Sequence, residues 1–355
     1  MTTPKFINNR SAFHQELKKR VQQYFDDHKK PLTGNFKLYF KAILLCASYF
    51  AICIHVIFFT PPVLWAILEC VLLGILTAAI GFNVMHDGSH GSFSKSKSVN
   101  KMAALSMNFL GASSIMWGIK HNILHHTYTN VDGIDDDIEA KPWLRLCATQ
   151  KRYKMHRFQH YYFWFLYCLL YIVWVFKTDY DKYFKSKIGE VPIRKLTAKE
   201  HIGFWAAKIG HFVGMVLVPI FVLGFVKWLI GFLIISMTAG FILSIVFQLA
   251  HTVEHTHFPL PVADTNKIEN EWAIHQAETT ANFATKNKWL SWYVGGLNFQ
   301  IEHHLFPKIS HVHYPAISKI IKQTCNEFGI QYVEYKKMRH AIASHTSYLK
   351  KLGRA

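Results

Sequence analysis

Apolar positions in this chain gather into long blocks separated by polar stretches. "FKAILLCASYFAICIHVIFF" (Phe40–Phe59) holds only Lys41 and His55 as exceptions. "TPP" turns the chain, and Val63–Val84 follows with one charge, Glu69. A second pair lies at Ile209–Val226 and Trp228–Ala250, with Lys227 alone between them. A helix needs about 20 apolar residues to cross about 30 Å of hydrocarbon. All four blocks meet that length, the third only narrowly. They predict two helical hairpins.

Two further stretches have a helical pattern, the second of them a fifth candidate span. Phe13, Leu17, Val21 and Phe25 recur every four residues, while Lys18, Lys19 and Arg20 lie largely off their face. This predicts an amphipathic helix lying on a membrane surface, with packing onto a soluble core as the alternative. Phe158–Phe176 is apolar but rich in aromatics, which favour the membrane interface. It reads as a re-entrant or interfacial helix. The expected organisation is a cytoplasmic amphipathic segment over residues 1–36 and one membrane domain over 37–355. Residues 85–208 and 251–355 form its cytoplasmic cap. The fold class is all-α integral membrane: four transmembrane helices in two hairpins, with a helical cap.

Charge gives this arrangement a direction. The chain of 355 residues carries a net charge of +18. The two hairpin loops hold almost none of it, whereas the N-terminal segment and the Lys95–Arg157 region hold much. The positive-inside rule then puts both termini and the long loops in the cytoplasm. Nucleic-acid binding would need a basic face on a soluble domain, and is not expected. The six cysteines (Cys46, Cys53, Cys70, Cys147, Cys168 and Cys325) show no CxxC spacing, and several lie in apolar runs. They read as buried small hydrophobes, not as a zinc, iron–sulfur or disulfide framework. No G-x-G-x-x-G fingerprint occurs, so no nicotinamide or flavin domain is expected. Redox chemistry would need electrons from outside.

The 22 histidines change the picture most. "HDGSH" places His86 and His90 four apart, just past the second span. "HNILHH" holds His121, His125 and His126, a set that can serve one metal or reach toward a second. "GGLNFQIEHHLFP" holds His303 and His304, with Gln300 at helical offsets three and four. Its amide can offer a carbonyl oxygen to a metal or a hydrogen bond to a neighbour. After the fourth span come His251, His255 and His257. His251 is expected to add a ligand, His255 is the less secure choice, and His257 reads as a loop residue. Any one cluster could be ordinary solvated or packed histidine. Together they supply about eight imidazoles, too many for one ion, so a two-metal site is the simplest reading. Imidazole suits iron, copper and zinc alike.

Topology tests the shared site. The first two clusters lie on one side, and spans three and four return the chain there before the third. That holds only if Phe158–Phe176 does not cross. The acidic run Asp132, Asp135, Asp136, Asp137 and Glu139 lacks calcium-loop spacing and reads as a solvated loop, with histidine orientation as the minority view. Trp117, Trp289, Trp292 and Tyr293 are candidate walls of an apolar tunnel or anchoring aromatics.

HxxxH, HxxxHH and QxxHH, on either side of a hairpin, resemble the integral-membrane fatty acid desaturases. "NVMHDGSHGSF", "HHTYTN" and "GGLNFQIEHHLFP" are similar to the front-end subgroup, over about Leu38 to Pro315. The H-P-G-G motif of the fused cytochrome domain common in that subgroup does not occur. The resemblance implies two iron ions held by His86, His90, His121, His125, His126, His303 and His304. His251 would be an added ligand, and Gln300 stands where other desaturases place a histidine. It implies O2-dependent formation of a cis double bond in an acyl chain, as a CoA ester or a membrane lipid, with no bound flavin, haem or nicotinamide. Electrons would come from a ferredoxin or a separate cytochrome, an acidic carrier suiting a basic cap. A lipid hydroxylase or alkane monooxygenase is the nearest alternative. A metal transporter is the distant one, because transporters place ligands near the bilayer midplane.

Overall fold

The computed structural model describes residues 3–7 and 12–355. Helices dominate. Three short two-stranded pairs complete the secondary structure: β1 (Lys5–Phe6) with β4 (Lys267–Ile268), β2 (Lys187–Ile188) with β3 (Val191–Pro192), and β5 (Ala281–Phe283) with β6 (Val333–Tyr335).

The first helix, α1 (Ala12–Asp27), does not present its apolar face to a membrane. Phe13, Leu17, Val21 and Phe25 are buried. They pack against Ala273, Ile301, Ile317 and Ile321, on elements around the third histidine cluster. The core-packing alternative therefore holds.

Among the described residues, five helices are long and apolar enough to cross a membrane: α2 (Phe36–Phe59), α3 (Val63–His90), α6 (Lys154–Lys185), α7 (Ala198–Leu223) and α8 (Phe225–His251). The Asn35 side chain accepts from the Leu38 N–H at 3.2 Å and so starts α2. Thr60, with φ 46°, and the two prolines after it end it. α2 packs on α3 through Leu45, Tyr49, Leu73 and Ile80, and α3 packs on α8 through Ala78, Phe82, Leu243 and Val246. The second hairpin differs from the sequence reading in two respects. Its first arm begins at Ala198, because Thr197 caps it with Glu200 in a reciprocal box. Its turn is at Gly224, not Lys227: φ is 81° there, a backbone state that glycine adopts without strain.

Between the hairpins, α4 (Lys97–Phe109) and α5 (Ser114–Tyr128) meet at 114°, and Ser113 caps the second of them. The aromatic-rich stretch forms the middle of α6, a helix of 32 residues rather than the 19 of the apolar run. Each of its ends is tied down by hydrogen bonds. Near the start, Gln159 accepts from the Arg145 N–H and donates to the Leu349 carbonyl. Near the end, Lys182 pairs with Asp136 at 2.5 Å, and the Asp179 carboxylate takes the Ser113 N–H and Lys208. The rest of the chain folds as α9 (Trp272–Glu278), α10 (Lys288–Tyr293), α11 (Gln300–Leu305), α12 (Tyr314–Glu327) and α13 (Met338–Arg354).

Candidate metal centre

The three clusters, far apart in sequence, meet at one end of the helices. His86 and His90 end α3. Just before them, Gly81–Met85 forms a wide turn, closed where the His86 N–H reaches the Gly81 carbonyl five residues back. Such i→i+5 turns often mark functional sites. The second cluster sits in a longer run of the same kind, Gly118–His125, and the His126 N–H bonds the His121 carbonyl. This explains why HxxxHH converges. Residues five apart come one above the other on this winding, so His121 and His126 share a face that an α-helix would split. The third cluster occupies α11. The turn before it seats against the first: a Cβ on Gly295, at φ 59°, would lie 2.5 Å from the Phe82 carbonyl oxygen. Only glycine brings this loop so close to the helix that carries His86.

The imidazoles fall into two sets with a link. One ligand nitrogen from each of His86, His90, His121 and His303 can be chosen so that all lie within 4.8 Å of one another. The same is true of His125, His251 and His304, and of His126 with His303 and His304. His121 Nε2 lies 3.2 Å from His86 Nε2 and 3.3 Å from His126 Nε2. All eight are buried save His90, which is partly so. Gln300 is buried beside the second set. Its amide nitrogen lies 3.0 Å from His251 Nε2 and 3.3 Å from His304 Nε2, and its oxygen has no partner. The amide's N and O ends are interchangeable by a half-turn, which would aim the oxygen at both rings.

Those contacts create a fit test for metal. The ring nitrogens His90 Nε2, His125 Nε2 and His303 Nε2 are buried with no hydrogen-bond partner. An unpaired buried polar atom costs about 1–3 kcal/mol, and the cost multiplies here within a few ångströms. Burial, reinforced by the neighbouring histidines, holds His303 and His304 well below the usual imidazole range. They are neutral at neutral pH and keep a lone pair. Orphaned, converging imidazoles are the donor set a metal ion satisfies.

Outer contacts fix which nitrogen faces inward. His125 Nδ1 donates to the buried Asp135 carboxylate at 3.1 Å, and the Asn130 and Asp137 N–H groups donate to the same carboxylate. His304 Nδ1 donates to Gln276 Oε1 at 2.7 Å, and His303 Nδ1 to the Tyr314 hydroxyl at 3.2 Å. Each arrangement leaves Nε2 for the centre. Asp87 accepts from His311 Nδ1 at 3.0 Å and from the Ser310 hydroxyl at 2.8 Å, tying the first cluster to the loop behind the third.

Several sequence expectations change. The acidic run is not a solvated loop. Asp135 is buried on His125, and Asp136 and Asp137 pair with Lys120, one residue before His121. His255 and His257 are exposed, and His251 alone of that group joins the site. Trp117 stacks on His121 with ring centres 4.2 Å apart. Trp289 and Trp292 are exposed and line none of the internal space, and the Tyr293 hydroxyl donates to the Ile75 carbonyl. Gln276 and Tyr314 gave no signal in the sequence, because a lone polar residue in a helical stretch has no spacing to reveal it. Asn130 gave a faint one. It follows the second cluster, adopts φ 60°, and its amide spans the carbonyls of His251, His257 and Thr279.

Apolar space adjoins the centre. A cavity of about 30 Å³ is bounded by His86, Trp117, Phe82, Met107, Leu243 and Tyr171. A larger one of about 370 Å³ lies between α2, α3, α7 and α8. Tyr171 lines both, its hydroxyl held by the Leu110 carbonyl at 2.6 Å.

Apolar helices of crossing length, a buried cage of histidines at their end and a greasy chamber beside it define a membrane enzyme of the histidine-box metal type. Comparison with known proteins gives the family. The fatty acid desaturase family model matches residues 60–336. The sn-1 linoleoyl-lipid 6-desaturase of Synechocystis sp. is 37% identical, the alignment covering 99% of this chain and 98% of that one. The sn-1 linoleoyl-lipid 6-desaturase of Arthrospira platensis is also 37% identical, covering 99% and 95%. An acyl-lipid (8-3)-desaturase of Physcomitrium patens is 35% identical over 96% of this chain and 72% of its own length. The chain belongs to the fatty acid desaturase family. It is an oxidoreductase that introduces a double bond into acyl chains.

Proposed function

We propose that this chain desaturates acyl groups carried on membrane lipids, at two irons held by the histidine cage. The observation that carries the metal part is the pair of imidazole sets with orphaned, inward-facing nitrogens. His86, His90, His121 and His303 would hold one ion, and His125, His251 and His304 the other. His126 lies where it can serve either, and Gln300, with its amide oxygen turned inward, completes the second set. Iron bound there supplies O2 activation and the oxidising strength to take two hydrogens from an unactivated chain. The reaction balances with two electrons and two protons from outside: one C=C bond forms and O2 leaves as two waters.

This chain's own residues do the positioning. Phe82, Met107 and Leu243 exclude water beside His86, and Trp117 braces His121. A neutral tail enters the apolar space without polar contacts, at about 0.8 kcal/mol per buried CH2. The relatives named above act on lipid-linked chains by their names, so a linoleoyl lipid desaturated at position 6 is the first substrate to test and the 8-3 position the second.

Two features support a four-span topology with the centre and both termini on the cytoplasmic side. The hairpin loops are poor in positive charge. Both ends of α6 also bond to the stretch that follows the second cluster, at Arg145 and Asp136. The basic cap suits an acidic electron carrier, and turnover with a soluble donor should then fall as salt rises.

Lipid profiling after expression in a host supplied with linoleate tests the activity. A new double bond on the carboxyl side of the existing ones is expected. A hydroxy acid without a new double bond would overturn the reading in favour of a hydroxylase. The purified protein should hold about two irons per chain, as the two ligand sets require, and lose them in His125→Ala and His303→Ala.

A further inference from the structure

Away from the metal centre, the start of α6 and the end of α13 build a surface that the desaturase chemistry does not use. The Arg152 guanidinium donates to the Gly353 carbonyl at 2.9 Å, so the segment before α6 and the last turn of α13 lie side by side. Lys154, Arg157, Lys350, Lys351 and Arg354 are all exposed here, and among the described residues none of them makes an ion pair. Elsewhere in the molecule lysines and arginines pair freely: Lys120, Lys141, Lys177, Lys182 and Lys208 all do. Glu254 holds the Ser347 hydroxyl, and Glu139 holds Lys141.

His160 sits inside this ring of cations. It is 6% exposed, yet both its ring nitrogens lack a hydrogen-bond partner. Lys350 and Arg354 stand close enough to act on it electrostatically. Its ring lies against Tyr161, with ring centres 4.0 Å apart. An imidazole in that state has an N–H with nothing to donate to, in a setting that repels cations and attracts an anion. An oxyanion held between Arg157, Lys350 and Arg354 would accept that N–H.

The same turns of α6 show what carries the anion. Phe158, Tyr161 and Phe165, three and four apart, share one side of the helix and are 55%, 70% and 59% exposed. Trp143 beside them is 61% exposed. Exposed aromatics next to lysine and arginine are the signature of the headgroup layer, where a ring meets acyl chains and a cation meets phosphate. A soluble acidic protein would cover the cations and leave this aromatic row in water. We infer that Arg157, His160, Lys350 and Arg354 form a site for the phosphate of an anionic membrane lipid, whose acyl chains lie along Tyr161 and Phe165. The placement holds whether or not α6 crosses, since its first turn stands at the membrane boundary in either case.

The test uses the full-length, iron-loaded protein, stripped of lipid and placed in nanodiscs of phosphatidylcholine alone or with about one-fifth phosphatidylglycerol; attraction per cation near an anionic surface is modest, so several must act together. Bound lipid is read by native mass spectrometry and stability by the unfolding midpoint. Phosphatidylglycerol should stay bound and raise the midpoint by several degrees. Arg157→Gln/Lys350→Gln/Arg354→Gln should lose both effects while matching the parent in phosphatidylcholine. If that triple variant fails to fold, Arg354→Gln alone, at the chain's last turn, should lose part of each. Equal retention of phosphatidylglycerol by parent and variant overturns the proposal. So does an equal rise in midpoint from inorganic phosphate in phosphatidylcholine discs, which would mean a simple anion site.

Discussion

Asp135 shows how much one side chain controls at this centre. It is buried, and it accepts hydrogen bonds from two backbone N–H groups and from the His125 Nδ1–H. It thereby fixes the tautomer that turns Nε2 inward. Asp135→Asn keeps the shape but replaces half the acceptor with a donor, and its amide can push against the ring proton. Iron affinity should fall about 10–100-fold, as losses of such orienting partners do, with the fold retained. Iron titration followed by optical absorption measures this. Tyr171 controls a different quantity. It stands between the small cavity at His86 and the larger one beyond. Tyr171→Ala should merge the two and shift the product profile toward chains with longer methyl ends, at a cost in stability of about 3–5 kcal/mol. Gas chromatography of mixed-length substrates reads the shift, and an unchanged profile would remove Tyr171 from the tail's path. The histidines that converge here were legible in the sequence because their spacing advertises them. Asp135 was visible only as part of an acidic run, and Gln276 and Tyr314 were invisible, since their roles come from contacts across 28 and 11 residues of chain.

At the scale of elements, α1 is the case where pattern and placement parted. Its period of four is legible and correct, but a period reports a face and not what covers it. The face packs on α9, α11 and α12, directly behind the third histidine cluster. Leu17→Ala should therefore destabilise the protein by about 2–5 kcal/mol, as a core substitution does, and lower its unfolding midpoint in detergent. A surface-lying helix would show no such loss but would weaken vesicle binding. The hairpins were legible for the opposite reason: length and apolarity are themselves the physical requirement. Their ends were less so. Gly224 and the Thr197–Glu200 box set them, and neither interrupts the apolar run that sequence reading measures.

The molecule as a whole depends on a parity. Three long helices separate the second cluster from the third, and the clusters meet only if an even number of them cross. Single cysteines at Lys97 and Lys308, both exposed, should label from the same side of the membrane in intact cells after the six native cysteines are replaced. Labelling from opposite sides would contradict the four-span arrangement. The amphipathic, charged and aromatic signals in the sequence all bore on this question, and the end of α6 adds a contact that bears on it, Lys182 with Asp136 in the stretch after the second cluster.

The wide winding at Gly118–His125 sets a condition on how this enzyme can vary. Residues advance by about 100° each in an ordinary helix, and the broader turn absorbs one residue more per loop. Side chains beyond it are thus indexed by a count, not by their identities. Removing Asn122, which lies between His121 and His125, would swing His126 by about that angle while every histidine survives in the sequence. Such a variant would keep all its boxes on paper and fail to retain iron, and excess iron in the medium would not restore it. Relatives can exchange residues inside this segment; they should not change its length.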